Sequence, residues 1–191
     1  MTARIPLFKS VAFFSILSWA LSIGLFGIFN KGFAQHYSLQ SPKSKVEFSL
    51  RNMGIRVDGH FNQMLGELQV NPSTGQPEFL YGEIQVNSIE TGIALRDRHL
   101  LKSDYFNAER HPQLKFRSEA IRRTEKGWIV SGWISIKGKS QPIQITAEAT
   151  KTSQGYLIKS KFQVKRSSFN LGDSALLSDE VEVVWTLMFG A

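Results

Sequence analysis

The stretch Val130-Ser131-Gly132-Trp133-Ile134-Ser135-Ile136-Lys137-Gly138-Lys139-Ser140 decides the fold class. Val130, Gly132, Ile134 and Ile136 share one parity, and the Gly-containing turn signal Lys137 to Ser140 follows at once. Alternation with period 2 is the mark of a strand with one buried and one wet face. The pattern then recurs. Downstream, Ile143, Ile145, Ala147 and Ala149 form a row, followed by Ser153-Gln154-Gly155 and by Tyr156, Ile158, Ser160, Phe162 and Val164. After Leu171-Gly172-Asp173 comes a last row of Val181, Val183, Trp185 and Leu187. Upstream, the rows are Leu114 and Phe116, then Ile84 and Val86 after Phe79, then Gly66, Leu68 and Val70. Before those stand Val57, Gly59 and Phe61, and first of all Val46, Phe48 and Leu50. Asn71-Pro72-Ser73-Thr74-Gly75 and Glu125-Lys126-Gly127 are further turn signals.

Gaps this short join antiparallel neighbours, and many one-faced strands must stack as a sandwich or close into a barrel. Gly59, Gly66 and Gly132 stand on the apolar parity, where glycine weakens a strand unless a bend or a close approach requires it. Barrel corners require such bends, which favours the barrel over a bulged sandwich. Small inward residues (Gly59, Gly66, Gly132, Ala147, Ala149, Ser160) alternate with Phe48, Phe61, Phe116, Phe162 and Trp185. Two outcomes fit that mixture: tight interdigitation, or volume withdrawn to leave a tunnel.

The chain has 191 residues, enough for one sizeable core, and no cysteine, hence no disulfide and no thiolate chemistry. Arg4 and Lys9 precede an uncharged run from Ser10 to Asn30, and Gly32 and Ala34 stand at −3 and −1 of a small-residue cleavage site. This reads as a signal peptide over residues 1–34 with a folded domain over 35–191; the length of the apolar run also suits an uncleaved membrane anchor. Either way the domain is expected across the membrane, periplasmic or secreted. The stretch from residue 35 on carries 20 basic and 16 acidic side chains in no stripe, which excludes a nucleic-acid surface.

Asn87 to Ser118 is the longest interval without clean alternation, and a connection of that length is usually functional or partly helical. A short helix is expected over Leu95 to Leu101, with Ser103 as N-cap of a second turn. The same interval carries, in order, Ser88-Ile89-Glu90-Thr91, Arg96-Asp97-Arg98-His99-Leu100, Ser103-Asp104-Tyr105-Phe106-Asn107, Pro112 and Phe116-Arg117-Ser118. In that order and spacing it resembles the YceI-like family of polyisoprenoid-binding, lipocalin-like proteins. Val57-x-Gly59-x-Phe61, Arg166-Ser167-Ser168-Phe169 and Asp179-Glu180-Val181 support it, and the resemblance runs over nearly all of residues 37 to 188. Tyr105 and Asn107 replace the usual Phe and Asp, and Asn170 stands where the family commonly has Gly.

The resemblance implies an all-β fold, an extended antiparallel eight-stranded lipocalin-like barrel with a long, partly helical loop around residues 88–112. It implies no catalysis, no metal and no cofactor. The implied ligand is a long-chain isoprenoid or similar amphiphilic lipid, with a membrane surface and a homodimer as further expected partners. Phe48, Phe61, Phe116, Ile134, Ile145, Phe162 and Trp185 are the expected channel lining, each of which plain core packing also explains. Asp97, Arg98, His99, Leu100, Leu101, Asp104, Phe106 and Arg166 are the expected mouth. Leu100 and Leu101 would cap the channel; the charged residues would either staple the loop or stand at the rim. Arg166 shares parity with Phe162 and Val164, so it points inward and must pair with Asp97, Asp104 or Glu180 or else grip an anionic head group. The competing reading is an interaction module with a filled barrel. A triad of Asp97, His99 and Ser103 is disfavoured because all three lie on one short segment, and His36, His60, His99 and His111 show no metal-ligand spacing.

Overall fold

The computed structural model describes residues 34–191; the signal peptide or anchor read from the sequence lies outside these. Eleven strands follow one another: β1 (Gln35–Leu39), β2 (Lys45–Asn52), β3 (Ile55–Phe61), β4 (Met64–Val70), β5 (Pro77–Gln85), β6 (Ile89–Glu90), β7 (Gln113–Thr124), β8 (Gly127–Ile136), β9 (Lys139–Thr152), β10 (Gly155–Lys165) and β11 (Glu180–Gly190). One helix, α1 (Ala94–Leu100), lies between β6 and β7. All pairings are antiparallel, and the ring β1-β4-β5-β7-β8-β9-β10-β11 closes on itself through β1–β11, so the barrel is closed and eight-stranded.

Three of the eight staves are broken in the middle. The free edge of β11 is shared: β1 pairs with its last residues, Phe189 and Gly190, and β2 pairs with Glu182 to Thr186. Beside them β4 continues β3, and beside those β6 continues β5. Each break leaves backbone groups without ladder partners, and burying such groups unpaired is costly. Serine hydroxyls supply the partners. Ser44 Oγ accepts from Met188 N at 3.0 Å, where β1 gives way to β2. Ser88 Oγ accepts from Asn62 N and Gln63 N at 3.2 and 3.1 Å, where β3 gives way to β4. Ser118 Oγ accepts from Leu80 N at 2.8 Å, beside a bulge in β7 that shifts the register between Ser118 and Ala120.

The bore is filled at one end. Leu68, Val70, Ile145, Ala147, Tyr156, Ile158 and Phe189 are buried there. Tyr37 packs edge-on against Tyr156, whose hydroxyl donates to Gly75 O from the Asn71–Gln76 turn. The inward glycines serve close approach rather than emptiness. A Cβ on Gly59 would lie 2.3 Å from the Phe48 ring, and one on Gly132 would lie 2.3 Å from Arg117 O. Gly82, which pairs with Phe116 on the inward parity, is different: a Cβ there would meet nothing nearer than Leu65 O at 3.9 Å. Gly132→Ala should therefore lower the unfolding free energy by roughly 1–3 kcal/mol through overpacking, while Gly82→Ala should stay within about 0.5 kcal/mol of the parent in denaturant titrations.

Candidate functional site

The other half of the bore is open. It holds a cavity of about 490 Å3, within the usual size range of small-molecule pockets. Six of the seven expected lining residues face it: Phe48, Phe61, Phe116, Ile134, Phe162 and Trp185. Ile145 does not. It is 2 % exposed and pairs with Val130 in the filled half, so it is core. Trp185 stands edge-on to Phe162 at 4.8 Å and to Phe116 at 5.1 Å, and Phe61 lies between Phe48 and Phe106 at 5.6 and 6.1 Å. The aromatics thus mesh with one another and still leave a void on one side. Alternation on β4, β10 and β11 carries Met64, Val164, Val181 and Val183 into the same lining, and Gly82 leaves its width.

The mouth is built from three segments tied together. Over residues 91–112, Thr91 donates from both its N–H and its hydroxyl to Asp97 Oδ1. Arg96 reaches back to Thr91 Oγ1 and Thr91 O, both at 2.7 Å. Asp97 is thereby a staple rather than a rim group. α1 spans Ala94–Leu100, the expected length shifted one residue toward the N-terminus. Ser103 caps nothing: its hydroxyl lies 3.5 Å from Asp104 Oδ1 while Tyr105 N and Asn107 N both donate to Lys102 O. Leu100 and Phe106 face the cavity with His99, whose ring packs on Tyr105 at 5.1 Å. Leu101 packs on the core without reaching the cavity and borders an outer groove with Arg98, and Asp104 accepts from Gly172 N at 2.8 Å through its backbone oxygen. His99 against Tyr105 and Asp97 on Thr91 leave Ser103 without a positioned base.

The second segment is the turn Arg166–Phe169 and the loop after it. Arg166 points into the bore, as its parity requires, but pairs with neither Asp97, Asp104 nor Glu180. Its five N–H donors go to main-chain carbonyls: Nε to Ser178, Nη1 to Leu171 and Gly172, Nη2 to Ser174 and Leu177. The guanidinium knots the loop, and no N–H is left to bond a head group. Ser167 donates to Asp179 from both N–H and hydroxyl, which holds that carboxyl below its usual range. Asn170 adopts φ +54°, the left-handed region that Gly enters freely and Asn more readily than other residues, which accounts for the departure seen in the sequence. Asn107 does the same at φ +52°. The third segment is the β2–β3 hairpin: Met53 N donates to Leu176 O and Ser178 N to Arg51 O.

On the wall beside Gly82, Tyr81 donates its hydroxyl to Glu83, whose carboxylate also meets Lys115 Nζ at 3.1 Å. Burial, then the Glu83 bond, pushes Tyr81 up to about 12. The Tyr81 hydroxyl, opposed by burial and helped by Lys115, holds Glu83 below its ordinary range.

With this geometry in hand, the family model described as a YceI-like domain matches residues 37–189. The chain belongs to the YceI-like family. Among curated relatives it is similar to a UPF0312 protein of Photorhabdus laumondii, 26 % identical over 118 residues, 60 % of this chain and 62 % of that protein. A UPF0312 protein of Yersinia enterocolitica is 25 % identical over 147 residues, 73 % of this chain and 77 % of that one. The chain spans about half to three quarters of the length of the curated relatives it matches. Among solved structures, Burkholderia cenocepacia BcnA superposes with a TM-score of 0.74 at 24 % identity, over 80 % of this chain and 99 % of that one. A polyisoprenoid binding domain from Saccharophagus degradans superposes at 0.62 with 16 % identity, over 81 % and 98 %. Likenesses at such identities establish the YceI-like fold.

Two outcomes follow. Arg166→Lys keeps the charge but loses the fork, so backbone amides of residues 171–178 should exchange hydrogen at least about tenfold faster, with a stability loss of roughly 2 kcal/mol. Folded Tyr81 keeps its proton from its ordinary 10 up to about 12, so stability should fall as pH rises through that window. Tyr81→Phe should flatten the fall; Tyr156, also shifted upward by burial, would leave a residue of it.

Proposed function

We propose that this YceI-like barrel is a non-catalytic carrier of an isoprenoid or similar amphiphile, its tail held in the open half of the bore. The observation that carries the reading is the cavity itself: about 490 Å3, walled by Phe48, Phe116, Ile134, Phe162 and Trp185 and open toward α1. The solved Saccharophagus degradans neighbour is a polyisoprenoid binding domain, which supports the same class of ligand here. An apolar wall needs no polar code along a tail; removal from water supplies about 0.8 kcal/mol per CH₂. If a carbon group takes up roughly the 30 Å3 of a water molecule, the cavity holds about sixteen of them, or roughly three isoprene units. Their gross burial, about 13 kcal/mol, exceeds most of the range of roughly 4–15 kcal/mol that association costs. A longer tail would leave its remainder at the mouth.

The export signal over residues 1–34, or an anchor in its place, supports work in the periplasm. The head group meets Asn52, Thr91, Arg96 and His99, with the Arg166 charge behind them as a field rather than a hydrogen-bond donor. Solvent extraction of the purified protein followed by mass spectrometry should release a prenyl or acyl species. Gly82→Phe, which fills the one inward position with room for a side chain, should lose that species while circular dichroism stays native. Phe162→Arg should lose it as well. A clean extract from the parent would leave the interaction module as the better reading, and full retention in the folded Gly82→Phe variant would put the ligand outside this cavity.

A further inference from the structure

The rim of the cavity is more apolar than a solvent-facing rim needs to be. Five large aliphatic side chains stand exposed on the three segments that build the mouth: Met53 at 70 %, Ile55 at 71 %, Leu176 at 58 %, Ile93 at 53 % and Leu95 at 71 %. They are continuous with the cavity. Ile93 and Leu95 line it themselves; Asn52 and Leu177, next to Met53 and Leu176, line it too, as does Val57, two residues on from Ile55 in β3. They are also held in place. The hairpin tip and the 170–178 loop are joined by Met53 N to Leu176 O at 2.9 Å and by the Asn52–Leu177 bridge. Met53 itself sits at φ +50°, followed by Gly54 at +79°, a turn geometry that favours Asn or Gly and that a long side chain enters only at a steric cost. A strained backbone that displays a methionine to solvent points to a use for that methionine.

We infer that this rim is a docking surface for a phospholipid bilayer carrying anionic head groups, so that the cavity opens directly onto the apolar phase. The inference rests on the carrier reading for its purpose, though not for its geometry. Two cations complement the phosphates. Arg51 stands at the end of β2 beside the tip and donates to Gly54 O, and Arg98 stands on α1. Among the described residues neither has a carboxylate within ion-pair distance. Arg56, the third cation of the tip, is paired with the exposed Asp58 at 2.7 Å. The apolar groups project from separate tips, a shape that suits partial insertion among lipid chains better than a flat protein interface. An aliphatic tail has negligible reason to cross water alone, since each CH₂ left there forfeits its transfer free energy.

The test uses residues 32–191, a compact unit by itself; a solved relative superposes on this chain over 99 % of its own length. Vesicles of phosphatidylcholine doped with phosphatidylglycerol should carry the barrel upward in a flotation gradient. Met53→Ser with Ile55→Ser should weaken that association by about tenfold, and Arg51→Ser with Arg98→Ser should weaken it on doped vesicles alone. Trp133→Ser, on the outer face of β8, should change nothing. Since the chain has no cysteine, a dye on Met53→Cys reports this position alone, and its emission should shift to the blue on vesicles. No flotation of the parent, equal flotation of the Met53/Ile55 variant, or a dimer that forms through the rim in place of vesicle binding would each overturn the docking surface. A prenyl species still extracted from a protein that fails to float would sink the docking surface and leave the carrier reading standing. Site-dependent flotation with a clean extract would do the reverse.

Discussion

Closure of the backbone ladder is the constraint on which this barrel depends. A sheet that curls into a ring has no edge, but only if every stave finds its neighbours along its whole length. Here β11 must serve two strands on one edge, and β3 must hand over to β4 within two residues. The hydroxyls of Ser44 and Ser88 take the amides stranded by these interruptions, and that of Ser118 takes one beside the bulge in β7. Each is a small side chain with an acceptor near the main chain, so it replaces a missing carbonyl without filling the bore. Ser88 belongs to the Ser-Ile-x-Thr motif and Ser118 to the Phe-x-Ser motif, so part of the family signature is the chemistry of closing the wall.

The rest of the signature builds the mouth. Thr91, Arg96 and Asp97 lock the start of α1, and Arg166 gathers the carbonyls of the loop beyond it. A half-buried guanidinium satisfied wholly by backbone needs no carboxylate partner to be tolerated, because its donors are paired and its charge stays near the surface loops. The arrangement keeps an open end on an otherwise solid barrel. An unsupported loop would collapse onto the apolar walls, whereas a loop bonded to itself and to the hairpin holds them apart.

Much of this was legible beforehand. Period 2 located nine of the strands, because each has one wet face, and the family pattern supplied closure and strand number. β1 and β6 escaped because five residues and two residues carry too little pattern. The second half of β7 escaped because the bulge after Ser118 flips the parity, so that Ile121 and Phe116 share the inside at an odd spacing. In the site, parity brought six of the seven lining residues to the cavity but could not say at which height the filling stops, which is why Ile145 fell on the wrong side. It also could not distinguish Gly82 from Gly59 or Gly132: alternation marks a glycine as inward, and only the opposite wall decides whether the space is used. Arg166 read correctly as inward. Its partners are not carboxylates, and carbonyls five to twelve positions onward leave no trace in side-chain identity.

The filled end gives the bore a floor. Whatever enters must do so end first and stop where Trp185 and the layer beneath it begin. For a carrier of the kind proposed, a blind bore of fixed depth would be a gauge: chains that bottom out with the polar terminus level with the lip would be accommodated whole, shorter ones would drag that terminus inward, and longer ones would protrude. Selectivity among homologous chains can then arise from reach alone, with no side chain that distinguishes one repeat from the next.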